Sequence, residues 1–311
     1  MNIDTLGNYC YLLGYGCTPT LVDLKNPVFP PFFIPVVGAG ETMSMFDWNN
    51  TYITKGIFAQ IQSTLYDRVH LLAGERLGSL DITYEERAYA PSKTFVTSET
   101  RFLPRLGAVV DITDEFSVYA GYSEGMRWVP FSQTFAEPKP ELSRSLEAGV
   151  RFNFNEELTG TLAVFNIDRT NVPYQISLTE GGLSEQRSRG FEADLIYQPN
   201  ERWSVLASYG YTNAEFASST PSAADGNRLP MVPEHSGRLW VNYTFDEDKL
   251  PGWSVGAGIY VASNQFVDSA NNWKTDGYFT ADAKLGYENE KIRAALTVKN
   301  LTGEKYYTPY T

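Results

Sequence analysis

Nowhere does the chain string together the roughly 18 to 20 apolar residues that a membrane helix needs, so a bilayer could be crossed only by strands. Cations are in deficit: 25 Lys and Arg face 37 Asp and Glu, for a net charge of −12. That balance excludes a general nucleic-acid binder, which needs a basic footprint to neutralise phosphates. The two histidines, His70 and His235, are far apart in the chain and support neither a metal centre nor a catalytic triad; structural or rim positions are expected for both. The two cysteines, Cys10 and Cys17, lack Cys-x-x-Cys spacing. They could close a small loop in an oxidising compartment or remain separate thiols, and both alternatives stand. The first positive side chain is Lys25, so the stretch MNIDTLGNYCYLLGYG does not make a secretory signal peptide. The nearest approach to a nucleotide loop is VGAGIYV, where Gly256 and Gly258 share one face of a strand and no helix follows. Glu192 and Asp194 share a strand face and read as solvated lining or partners of Arg and Lys. No catalytic residue, metal or cofactor is expected, and the chain is not read as an enzyme.

What is present is tyrosine, phenylalanine and glycine in quantity, arranged in alternating segments. In LSRSLEAGVRFNF, Leu142, Leu146, Ala148, Val150, Phe152 and Phe154 fall on one face of an extended strand and Ser143, Ser145, Glu147, Arg151 and Asn153 on the other. The same division separates Phe191, Ala193, Leu195 and Tyr197 from Glu192 and Asp194, Leu239, Val241 and Tyr243 from Arg238 and Asn242, and Phe279, Ala281, Ala283 and Leu285 from Asp282 and Lys284. One segment fits less well, because Leu162 and Val164 share a face with Asn166 and Asp168.

Short acidic or amide-rich turns recur at 65–70, 111–117, 153–159, 198–204, 244–254 and 287–293, about every 45 residues. Strand-length segments flank each one, which predicts about six hairpins and about twelve strands. Between them lie long connections rich in Pro, Ser, Asn and Gly, such as 127–141 and 217–235. Short turns on one rim and long loops on the other are the plan of a bacterial outer-membrane barrel. Phe116, Phe154, Tyr197, Trp203, Phe245, Trp253 and Tyr287 sit beside the short turns, as an interfacial girdle would. A soluble sandwich, for example a carbohydrate-binding β protein, would explain alternation but neither the uneven loops nor the belt of rings. Lipid is therefore the expected solvent of the apolar faces. The polar faces, with Glu147, Arg151, Glu192, Asp194, Arg238, Asp282 and Lys284, should line an aqueous or protein-filled lumen.

The segments GIFAQIQSTLYDRVHLLAGERL, LPRLGAVVDITDEFSVYAGYSEGMR, KPELSRSLEAGVRF, SRGFEADLIYQPNERWSVLASYGY, LPMVPEHSGRLWVNYTF and VKNLTGEKYY, in that order, resemble successive barrel segments of TonB-dependent siderophore receptors. The resemblance runs from about residue 50 to the end. VDLKNPVFPPFFIP, residues 22–35, is similar to a surface loop of ferrichrome-type and other hydroxamate-siderophore receptors. The resemblance implies an all-β, antiparallel transmembrane barrel, seen here in part as about 12 of about 22 strands and without the plug domain. It implies outer-membrane uptake of a ferric siderophore, driven through TonB in the full-length parent. Residues 1–49 are read as a loop region of the barrel, and 50–311 as barrel lacking the final strand. An even strand count would return the chain to the extracellular rim at EKYYTPYT.

An open sheet in lipid would leave two edges unpaired at several kcal/mol per backbone group, so closure or a partner is expected to be needed. For ligand capture, the mouth after the strand at 116–125 offers Arg127, Trp128, Phe131 and Phe135, cationic and aromatic anchors suited to an anionic or neutral chelate. Membership of an extracellular aromatic belt would account for them equally, and Tyr306, Tyr307 and Tyr310 carry the same ambiguity. A self-contained small outer-membrane pore or enzyme barrel is the rival; it would need a signal peptide and, for an enzyme, a rim Ser or His constellation.

Overall fold

The computed structural model describes residues 6–9, 20–23, 48–86, 93–128, 139–175 and 181–307. Alternation with period two becomes a single 12-stranded antiparallel sheet, flanked by two short two-stranded ribbons. The first ribbon pairs β1 (Leu6–Tyr9) with β2 (Thr20–Asp23). The large sheet runs through β3 (Trp48–Leu65), β4 (Val69–Glu86), β5 (Lys93–Asp111), β6 (Phe116–Arg127), β7 (Glu141–Phe154), β8 (Leu158–Gln175), β9 (Gly181–Asn200), β10 (Trp203–Phe216), β11 (His235–Thr244) and β12 (Trp253–Ala262). A second ribbon, β13 (Gln265–Phe266) with β14 (Lys274–Thr275), interrupts it before β15 (Tyr278–Glu288) and β16 (Arg293–Val298) complete the sheet. Each strand pairs with the next in a continuous meander, and β3 and β16 have one neighbour each among the described residues.

Every short turn expected from the sequence joins two consecutive strands of this meander. At Tyr66-Asp67 and Asn155-Glu156 both residues have positive φ (52° and 55°, 51° and 60°), the sign pattern of type I′ hairpin turns. Each turn is closed by a hydrogen bond across it, from Arg68 N–H to Leu65 C=O at 3.2 Å and from Glu157 N–H to Phe154 C=O at 3.0 Å.

The register assigns the faces. Val118, Val150, Leu162, Ala193, Tyr209, Gly237, Val261 and Phe279 form one continuous row across β6–β15. Rows on either side of it are equally apolar, and the face is bare: Ile57, Ile61 and Phe102 are 72%, 73% and 69% exposed. A soluble sandwich would have buried them. From the Tyr243–Val255–Leu285 row to the Ala148–Val164–Phe191 row, about four two-residue steps of ~6.6 Å tilted by ~40° span roughly 20 Å, close to the hydrocarbon-facing band of a membrane barrel. The turn-side end is ringed by aromatics, with Trp203 against Tyr243 at 4.7 Å and Trp253 against Tyr287 at 5.1 Å.

The misfit at Asn166 and Asp168 resolves into a polar collar on the outer face, beyond the apolar band on the loop side. Asn166 lies opposite Arg189, and Asp168 between Arg144 and Arg187. Arg187 Nε donates to Asp168 Oδ1 at 2.7 Å, Arg189 Nε to Asn166 Oδ1 at 2.8 Å, and Arg144 reaches Glu124 at 3.5 Å. These groups are where strands leave hydrocarbon for water.

The inner face is less uniformly polar than its sequence pattern implied. Ile196, Leu206 and Trp240 share an inner row with Asn153, Thr159 and Asp282, and at the loop end Leu80, Ile82, Tyr84 and Leu103 are buried. Trp240 lies over Gly256 and Gly258, where an added Cβ would stand 2.7 and 2.4 Å from the indole, so the glycines of VGAGIYV make room for a ring.

Candidate functional site

The inner face carries Glu147, Arg151, Glu192, Asp194, Arg238, Asp282 and Lys284 on the side opposite the bare apolar rows, as expected. Midway along it, Tyr119 Oη donates to Glu147 Oε1 at 2.7 Å while the Arg151 guanidinium sits 4.7 Å from the Tyr119 ring centroid. Nearer the turns, His70 Nε2 meets Asp111 Oδ2 at 2.9 Å, and its Nδ1 meets Thr64 Oγ1 at 3.1 Å. Tyr119, Glu147, Arg151 and His70 line one cleft of about 620 Å³. The other histidine, His235, is held by Tyr209 Oη at 2.8 Å on the outer side. Among the described residues no three His, Cys, Asp or Glu side chains gather as metal ligands would.

At the loop end of the inner face, Arg127 comes into a charge cluster. Its Nη2 lies 2.8 Å from Glu141 Oε2, and Arg169 reaches the other carboxylate oxygen through Nη2 at 2.8 Å and Nε at 2.9 Å. Glu141 is only 4% exposed, so burial of its charge is offset by two guanidinium partners. Arg169 Nη1 also donates to Gln186 Oε1 at 3.3 Å. One extra residue in β8 sets this geometry: Arg169 faces Gln186 but Val172 faces Ser184, a bulge centred near Asn171, whose φ is 57°. Asn171 Nδ2 donates to Pro140 C=O at 2.9 Å and so fixes the residue before Glu141.

Trp128 follows Arg127 directly, and its indole Nε1 is buried with no hydrogen-bond partner. Phe131 and Phe135 lie outside the described residues, as do Cys10, Cys17 and Tyr310. Of the anchors named from sequence, the described residues include Arg127, which sits in the charge cluster, and Trp128, its neighbour in the chain. The structure adds Glu141 and Arg169, which sequence reasoning missed. Arg169 was visible in principle, since it continues the inner-face alternation of Thr161 and Ala163 beyond Ile167.

The rim opposite is braced. Asn271 Oδ1 accepts from Arg228 N–H at 2.7 Å and its Nδ2 donates to Arg228 C=O at 2.9 Å, while Asn227 Nδ2 donates to Ser269 C=O at 2.9 Å, stitching the connection at 217–234 to that at 263–277. Within the second connection, the Asp268 carboxylate accepts from the Trp273 N–H at 2.9 Å and the Asn272 N–H at 3.1 Å. Partial desolvation would raise its pKa, but these and other backbone donors outweigh that effect and hold it below the ordinary aspartate value. Tyr306 stacks on Tyr278 at 4.4 Å and belongs to this rim.

Residues 9–301 match the family profile "TonB dependent receptor-like, beta-barrel". The ferrichrome outer membrane transporter/phage receptor of Escherichia coli K12 is 27% identical over 307 residues, 94% of this chain and 40% of the relative. The metal-pseudopaline receptor CntO of Pseudomonas aeruginosa is 30% identical over 213 residues, 66% of this chain and 30% of the relative. The crystal structure of the ferric-catecholate import receptor Fiu from E. coli K12 superposes with a TM-score of 0.72 at 23% identity, over 94% of this chain and 46% of that one, and shows the shared fold. The chain thus spans less than half the length of these relatives. With its bare aliphatic outer face, charged inner face and alternating short and long connections, the chain belongs to the TonB-dependent receptor family, as a part of its outer-membrane β-barrel.

Proposed function

We propose that this chain is the ligand-engaging part of an outer-membrane receptor for a ferric siderophore, energised through TonB in the full-length parent. The apolar outer rows face outer-membrane lipid. Residues 1–49 serve as a loop region and 50–311 as barrel, a division supported by the start of the long sheet at Trp48. The observation that carries the reading is the mouth cluster: Arg127 on the inner face beside Glu141 and Arg169, followed in the chain by Trp128, whose buried indole N–H has no hydrogen-bond partner. Guanidinium forks and an indole donor suit the negatively polarised oxygens that wrap chelated iron. Phe131 and Phe135 would add apolar contact from the same connection. The names of the relatives support a chelate as cargo, since they refer to ferrichrome, metal-pseudopaline and ferric-catecholate.

Titration of the detergent-solubilised protein with iron-loaded siderophores, followed by tryptophan fluorescence, tests this. One or more chelates should quench saturably, and Arg127→Ala or Trp128→Ala should weaken that binding about tenfold, the loss of one charge-assisted or buried aromatic contact. A folded protein that responds to none of hydroxamate, catecholate and carboxylate chelates overturns the reading.

A further inference from the structure

Between its third and fourth strands the large sheet comes apart. β5 and β6 pair from Asp111–Ser117 to Arg105–Ser123 and no farther, although Arg101–Pro104 and Glu124–Arg127 are both strand. Over the same stretch β5 keeps its β4 partner up to Lys93, and β6 its β7 partner up to Arg127. A proline explains the place. Ile112 N–H donates to Phe116 C=O at 2.9 Å, so the hydrogen-bonded pairs of this ladder fall on the even residues of β5. The next such pair after Leu106–Tyr122 would join Pro104 to Glu124, and proline has no N–H to donate. Toward β4 the same residue is harmless, because the N–H groups on that side belong to odd residues such as Asp111, which donates to Arg68 C=O at 2.8 Å.

Beyond the parting the two edges overlap. Gly78 on β4 is an inner-face position, and a Cβ built there would stand 3.5 Å from Leu103 Cδ1 and 3.8 Å from Met126 Cε. Met126 belongs to β6, two strands away, so its thioether reaches that point by passing over the lumen side of β5. By alternation Met126 shares the outer face of β6 with Val118 and Tyr122. The outer face of one edge thus lies against the inner face of the other, in the manner of a split ring. The cleft at the split, about 120 Å³, has Arg101 and Leu103 on the β5 side and Glu124, Leu142, Arg144 and Asp168 on the other. Its charged groups pair each on their own side: Arg101 with Glu99, Arg144 with Glu124, Asp168 with Arg187. Among the described residues no ion pair bridges the split. Leu103 and Met126, brought together over Gly78, seat one edge on the other through apolar contact, which has no direction and fixes no register.

We propose that this split is an expansion joint in the barrel mouth: the β6 edge slides over the inner face of β5, so the girth above Pro104 changes without breaking a ladder bond. One residue of the sequence builds it in. It lies between strands that each keep their other neighbour, so it does not follow from the bare edge at β3. Arg127, Glu141 and Arg169 stand on β6, β7 and β8, so the mouth cluster travels with the sliding edge. The excursion runs from overlap to edge-to-edge, about one strand spacing or ~5 Å. The joint stands on geometry alone; its use, to admit a cargo wider than the resting mouth, rests on the receptor reading above.

Paired spin labels test this on the detergent-solubilised chain, with Cys10 and Cys17 replaced by serine. V96C with Q175C spans the split, from β5 to β8. L106C with L146C spans β5 to β7 on a row where the ladder is intact. Double electron–electron resonance should give the first pair a distance distribution broader than the second by about 5 Å, one strand spacing. P104T supplies the missing donor in a residue that favours strands; it should narrow the first pair to the width of the second and keep the parent circular dichroism. If the first pair is as narrow as the second in the parent, or stays broad in P104T, the joint falls, since motion owed to the open β3 edge would survive that substitution. Neither result touches the receptor reading, which stands or falls on the chelate titration.

Discussion

A recurrent residue-scale device in this sheet is an aromatic ring laid over a glycine on the neighbouring strand. Tyr119 pairs with Gly149, Phe152 with Gly160, Phe165 with Gly190 and Trp240 with Gly258. At Gly190 an added Cβ would stand 2.2 Å from Tyr211 O and 2.5 Å from Phe165 Cζ, and the first of these is backbone that cannot step aside without parting two strands. Gly210, on the same inner face, has its nearest neighbour at 3.7 Å. Gly190→Ala should therefore destabilise by about 1–3 kcal/mol, the scale of overpacking a filled site, while Gly210→Ala stays near neutral. Urea midpoints in detergent micelles read the difference; equal midpoints would mean that the ring-over-glycine contacts yield freely. The mouth cluster has its own asymmetry. Without Glu141, Arg127 can turn to water, whereas losing Arg127 and Arg169 together would strand a buried carboxylate, the costlier change.

Among the elements, the β13–β14 ribbon has a titratable latch. Because Asp268 titrates below its ordinary value near 3.8, the latch contributes stability that is complete above that value and lost as pH falls through the lowered one. The ribbon should keep one conformation from neutral pH down to mild acid and loosen only in strong acid. Asp268→Asn, which cannot accept as a carboxylate, should loosen it already at neutral pH. The amide resonance of Trp273, followed against pH in both proteins, checks this; a transition near neutral pH in the parent would contradict it. This short ribbon was not legible in the sequence, because two-residue strands have no periodicity to detect and the connection is held by side-chain caps such as Asp268 and Asn271. The long strands were legible because lipid on one side and water on the other demand strict alternation over ten or more residues. Boundaries were less so: β3 begins at Trp48 rather than at about residue 50, and β6 continues to Arg127, past the 116–125 indicated by the sequence.

For the whole molecule, the strand meander and the solvent of each face followed from sequence, but the charge pairing on the inner face did not. Arg127 and Trp128 stood out because they begin a long connection, whereas Glu141 on β7 and Arg169 on β8 meet only through register, which one strand's pattern does not contain. The same register leaves β3 and β16 with one hydrogen-bonded neighbour apiece among the described residues. Roughly half the backbone groups of an edge strand point away from its partner, and each is costly to leave unpaired in hydrocarbon. Deuterium uptake in micelles should accordingly be fastest at the β3 and β16 amides and slowest in β8 and β9; uniform protection across all twelve strands would show that the edges have found partners. The bulge near Asn171 bears on how such a chain can diverge. One surplus amino acid swaps inward for outward until the next connection, and here the swap falls beyond the apolar band. A codon gained or lost within that band would turn guanidiniums toward acyl chains and aliphatic groups toward water, so drift in length is confined to the segments above it, and the spans can change in spelling but not in count.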